Sequence, residues 1–78
     1  MHFAWIFIVD VPEIIFLAEA ETKEEFLQLA KTSEQIKDRY YEDYQEFKML
    51  EIFKGSFEDY IRDYLPKEEN IHIVPYMG

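Results

Sequence analysis

Histidine, aspartate and glutamate are the residue types here that could hold a metal ion or move a proton, because the chain contains no cysteine. Its two histidines, His2 and His72, stand at opposite ends of the sequence. Glu69 precedes His72 with the E-x-x-H spacing of carboxylate-bridged iron sites, a pattern that converges only on a helix, where i and i+3 share a face. Pro66 and the strand-forming Ile71, Ile73 and Val74 argue against a helix there, so no metal site is expected. Asp59 and Asp63 lie one helical turn apart, as do Asp38 and Glu42, close enough to share Mg²⁺ or a proton. Nothing else converges on either pair. Two glycines leave no phosphate-binding loop, and no Ser/His/Asp set stands in a recognisable context. The expectation is a protein without catalytic residues, metal or cofactor.

Charge is the next source of chemistry. Seventeen acids against eight bases give a net charge of −9, a surface that repels nucleic acid and anionic lipid and attracts basic partners. Residues 1–20 carry three acids and no base, 21–54 nine and six, and 55–78 five and two. Each part nets −3, so only folding can gather the charge into a patch.

The stretch Ser33 to Lys54 concentrates acids and tyrosines. Wound at about 100° per residue, it places Ile36, Tyr40, Tyr44, Phe47 and Leu50 on one apolar stripe. Asp38, Glu42 and Glu46 recur every four residues beside that stripe, and like charges at this spacing cost about 0.2–0.5 kcal/mol per pair. They stand about 6 Å apart along the axis, close to the spacing of alternate phosphates on a DNA strand, which advance about 3.4 Å each. A solvated face with Lys37, Arg39 and Lys48 as counter-charges looks similar. Tyr41 sets this helix apart. It lies off the apolar stripe, with Met49 and Ile52 toward the same back side, and tyrosine supplies interface area and a hydroxyl at low entropic cost. The expected partner-binding set is Asp38, Tyr40, Tyr41, Glu42, Asp43, Tyr44 and Glu46. Its expected partner is a basic protein surface such as the nucleic-acid-binding site of a nuclease. Direct contact with nucleic acid is not expected, because single-strand readers pair aromatics with a basic groove.

These residues need a frame to hold them. With 78 residues, 49% of them apolar, the chain makes one domain, 1–78, near the size at which a lone core struggles against chain entropy. Phe3 to Val9 and Ile14 to Ala18 are apolar runs around Asp10-Val11-Pro12-Glu13 and read as a β-hairpin. In the first run Phe3, Trp5, Phe7 and Val9 oppose Ala4, Ile6 and Ile8; in the second, Ile14 and Phe16 oppose Ile15 and Leu17. Both faces therefore want cover, which the helices and the C-terminal segment are expected to give. A face left open would be a dimer surface.

Thr22 to Glu25 has the form of a capping box, opening a helix to about Lys31 that buries Phe26, Leu29 and Ala30. Thr32 to Gln35 repeats the signal and restarts the chain as a second helix. Lys54-Gly55 looks like its end, giving about 22 residues and about 33 Å; a competing reading makes 47–53 a strand. Ser56 caps a third helix with Phe57, Tyr60, Ile61, Tyr64 and Leu65 on its apolar side, closed by Pro66. Ile71 to Val74 is a last strand.

The fold class is α+β, order ββαααβ (alternative ββαβαβ), with the hairpin and C-terminal strand in one antiparallel or mixed sheet against two or three helices. A membrane span from Phe3 to Ala18 would place Asp10 near its middle at a cost of about 2.5–3.5 kcal/mol, and no signal peptide is evident. An intracellular, cytoplasmic protein with no membrane partner is expected. Size, acidity and lack of cysteine are shared with small viral and mobile-element proteins that block host nucleases, such as anti-CRISPR and anti-restriction proteins. This is a likeness of bulk properties alone. The expected function is an acidic, non-enzymatic inhibitor or regulator. The alternative is a structural or assembly module that acts as a homodimer through a hydrophobic strand face.

Overall fold

The computed structural model describes residues 1–77. Strands β1 (His2–Ile8), β2 (Pro12–Glu19) and β3 (Ile71–Pro75) form one antiparallel sheet in the order β2-β1-β3. Between β2 and β3 come α1 (Lys23–Lys31), α2 (Glu34–Met49) and a third helical segment. The order is ββαααβ, as expected. Pro12 and Pro75, which cannot donate a ladder hydrogen bond, open and close edge strands.

β1 runs down the middle, flanked on both sides. Its partners across β2 run from His2 opposite Glu19 to Ile8 opposite Pro12. The ladder slips once: Trp5 faces Phe16 but Ile6 faces Ile14, leaving Ile15 as the extra residue of a β-bulge. Simple alternation pairs Ile14 with Phe16, and the bulge breaks that pairing. Ile15 and Phe16 both pack against the core, while Ile14 shares the opposite face with Leu17, across from Ile6 and Ala4.

All the helices lie on one side of the sheet. Trp5, Phe26, Ile36, Tyr60 and Ile61 are the largest fully buried side chains, with Phe3, Tyr40, Tyr44, Leu65 and Ile71 around them. The expectation that helices would cover both faces is overturned. The face carrying Ala4, Ile6, Ile14, Leu17 and Val74 has no second layer.

Each helix starts on an expected type of cap. The Thr22 hydroxyl accepts from the Glu25 N–H (3.1 Å), the Ser33 hydroxyl from the Ile36 N–H (3.4 Å), and Ser56 and Asp59 form a reciprocal capping box. Thr32 closes α1 instead of opening α2. α1 buries Leu27 in place of the expected Leu29, which is exposed.

The end of α2 departs from both sequence readings. The helix stops at Met49, and 47–53 is not a strand. Leu50 is exposed. Glu51 takes the left-handed φ of 60°; its N–H donates to the Lys48 carbonyl (3.1 Å), and the Ile52 N–H donates to the Phe47 carbonyl (2.9 Å). Those two bonds make a Schellman ending with glutamate in the position glycine usually takes. Gly55 is needed for a different reason: a Cβ there would stand 2.8 Å from the Phe53 ring. The early reversal brings Phe53 back against Tyr44, Tyr60 and Tyr64, with ring centroids 6.4, 5.4 and 5.5 Å away. The Tyr44 hydroxyl clamps the loop by donating to the Gly55 carbonyl (3.1 Å).

The third helical segment begins as α3 (Phe57–Asp59), widens into a π-helical turn (Tyr60–Tyr64) and tightens into a 3₁₀ turn (Leu65–Lys67). Pro66 has no N–H to extend a regular helix, and the Leu65 N–H reaches back to the Tyr60 carbonyl. Tyr60 and Tyr64 stack at 5.3 Å with ring planes 14° apart.

Candidate docking surfaces

The helical stripe on α2 divides the expected partner-binding residues into two groups. Ile36, Tyr40 and Tyr44 point into the core. Tyr40 accepts a hydrogen bond from the Trp5 indole (2.9 Å), and Tyr44 sits at the centre of an aromatic cluster with Tyr41, Phe53, Phe57 and Tyr60. Both tyrosines hold the fold together, so they leave the partner-binding set. Asp38, Tyr41, Glu42, Asp43 and Glu46 are exposed on the outside of the same helix.

The exposed acids lack the counter-charges that a solvated face was expected to supply. Among the described residues, ion pairs within 4.0 Å are confined to Arg62, which bridges Asp59 (2.8 Å) and Asp63 (2.7 Å). Two of the three bases of α2, Arg39 and Lys48, lie against rings, while Lys37 is exposed and makes no ion pair within 4.0 Å. The Arg39 guanidinium is 5.0 Å from the Phe7 ring and 5.5 Å from the Tyr40 ring, and the Lys48 ammonium is 5.6 Å from the Tyr44 ring. Such contacts use the attraction of a cation for a π face. They leave Asp38, Glu42 and Glu46 as unpaired carboxylates on a helix held rigidly from behind.

Tyr41 flanks this face. It is 38% exposed and meets Phe57 edge-on at 5.2 Å. The two rings floor a shallow groove of about 560 Å³, with Lys31, Lys37, Glu34 and Glu58 among its rim residues. Sequence spacing singled out Tyr41 but gave no sign that Phe57 would support it, because the contact depends on where the loop after α2 turns back.

The residues with metal or acid–base potential do not converge. Asp59 and Asp63 are joined through Arg62, whose guanidinium donates to both and holds the Asp63 carboxyl below the usual carboxylate range. His72 pairs with Ile6 on β1, four positions along that strand from His2, a separation of about 13 Å. Glu69 lies before β3, outside any helix. No three histidine or acidic side chains gather into a potential metal site among the described residues.

Apart from Ile6 on the central strand, Ile14 and Leu17 are each 45% exposed and Val74 is 36% exposed on the open side of the sheet. The sequence signal for this surface was the apolar character of both strand faces. Which face would stay open was not readable, because it depends on where the helices fall. Among the described residues no helix is long and apolar enough to cross a membrane. In comparisons with known proteins, the chain matches no family model, no characterised sequence and no solved structure.

Proposed function

We propose that this chain is a non-enzymatic inhibitor or regulator that docks the outer face of α2 on a basic site of a partner protein, of the kind that binds nucleic acid. The observation that carries this reading is the set of unpaired carboxylates at Asp38, Glu42 and Glu46, left without counter-ions while Arg39 and Lys48 lie on aromatic rings. An acidic row repeating at about 6 Å offers a basic groove charges at nearly the spacing of every second phosphate. Asp43 adds charge beside the row. Tyr41 provides the apolar contact that charge alone lacks. Occupying the groove would exclude nucleic acid by volume and by charge, with no bond made or broken in the partner.

Affinity capture from a nucleic-acid-depleted cell lysate, at low and at high salt, tests this reading. Retained proteins identified by mass spectrometry should be enriched in basic nucleic-acid-processing enzymes at low salt and depleted at high salt. Equal retention at both salts, or enrichment of neutral proteins, would count against it.

A further inference from the structure

We propose that the open face of the sheet is covered by a second copy of this chain, sheet against sheet. This surface is separate from the outer face of α2 and does not depend on the function proposed for that helix.

Charge selects the occupant. The molecule carries −9 overall, yet the ionisable side chains that strand register places on the open face are His2, His72 and Glu19, with Glu19 beside His2 at its end. A basic partner is drawn to the carboxylates elsewhere, and an anionic lipid surface is repelled by the whole molecule. A second copy is repelled too, but least along this nearly neutral face. It also brings an identical apolar surface, as a two-fold interface requires.

Aliphatic side chains from both flanking strands line the face. Ala4 lies between Leu17 on β2 and Val74 on β3 in one row across the sheet. Ala4 is 0% exposed, so no water-sized space remains above it, and the row presents the partly exposed Leu17 and Val74 side by side. Two such faces stack with these aliphatic side chains in contact, as in sheets packed about 10 Å apart. Ile6 and Ile14 form the next row and continue the contact.

Area sets its strength. Three strands about 4.8 Å apart and about 24 Å long cover roughly 340 Å² in plan, under half of the ~800 Å² that a standard interface buries per partner. Exposed Met1 and Met77, beside His2 and Leu17 at one end, enlarge the apolar contact. The result is a weak, reversible dimer. It tightens as salt rises, because salt screens the repulsion between two acidic molecules.

Sedimentation equilibrium of the full chain from about 1 μM to about 1 mM should show the mass rising from 9.5 kDa toward twice that value. Leu17→Glu with Val74→Glu should raise the dissociation constant more than about tenfold, with the circular dichroism spectrum unchanged. A measurement on the unaltered chain guards against a variant that fails to fold: the amide and methyl resonances of Ile6, Leu17 and Val74 should move with concentration while those of α2 stay fixed. A monomer at every concentration, or concentration-dependent shifts confined to α2, would overturn the proposal. Because Asp38→Lys/Glu42→Lys/Glu46→Lys leaves the sheet untouched, that variant should still dimerise even where it no longer binds a basic partner.

Discussion

Trp5, in the middle of the central strand, donates its indole N–H to the hydroxyl of Tyr40, in the middle of α2, over 2.9 Å. Both side chains are buried, and their rings lie 5.7 Å apart. This bond fixes the rotation of α2 about its own axis: with Tyr40 inward, Asp38, Glu42 and Glu46 must face out. Tyr40→Phe keeps the ring and removes the acceptor, leaving a buried donor unpaired at a cost of about 1–3 kcal/mol. Urea denaturation should show that loss of stability, while the circular dichroism spectrum stays that of the native fold.

Glu51 makes a prediction whose sign separates two descriptions of the same segment. A non-glycine residue in the left-handed region is disfavoured by about 1–2 kcal/mol, part of which glycine forfeits again through its freer unfolded chain. Glu51→Gly should therefore stabilise the protein by about 0.5–1 kcal/mol, or a few degrees in melting temperature for a domain of this size. Were the helix continuous to Lys54, the same change would place glycine inside it and destabilise by about 1 kcal/mol. Thermal melts of the two proteins decide between them.

Alkaline pH should unfold the protein through its buried tyrosines. Burial is the main reason that the Tyr40 and Tyr60 hydroxyls ionise above the ordinary value of 10.0, and the nearby Asp43 carboxylate pushes both further up. The Trp5 hydrogen bond and Arg39 oppose part of the shift at Tyr40. The folded state therefore keeps these protons when the unfolded chain has lost them. Their stabilisation is complete below pH 10 and declines as pH rises from there toward the folded values, by at most about 1.4 kcal/mol per pH unit for each tyrosine. Chemical denaturation across this range should show the decline. Tyr40→Phe should reduce its slope, leaving the part due to Tyr60.

Much of this architecture was legible in the residues themselves. The apolar runs around Asp10, the caps at Thr22, Ser33 and Ser56, and the stripe of Ile36, Tyr40 and Tyr44 each report a local rule of packing or capping, and local rules survive folding. The misreadings fall where a distant contact decides. Helix propensity carries α2 on to Lys54, but Phe53 must reach Tyr60 and Tyr64, so the helix ends early at the cost of a left-handed glutamate. Strict alternation along β2 fails at Ile15, where a bulge turns two successive apolar residues toward the helices. At the candidate site, the outward placement of Asp38, Glu42 and Glu46 followed from helical spacing. The burial of Tyr40 and Tyr44 followed from the same spacing, which makes them core residues and not partner contacts. The stacking of Arg39 and Lys48 on rings, which leaves those acids unpaired, depends on Phe7 in another element and on side-chain reach that spacing does not encode.

The proposed docking charge is the set of carboxylates on the outer face of α2. It is tested most directly by titrating a partner captured at low salt with the native chain and with Asp38→Lys/Glu42→Lys/Glu46→Lys, at two salt concentrations. The variant should fold, with affinity reduced at least about 100-fold and a flattened salt dependence, because like charges at an interface repel and steer partners apart. Equal affinity for the two proteins would contradict it.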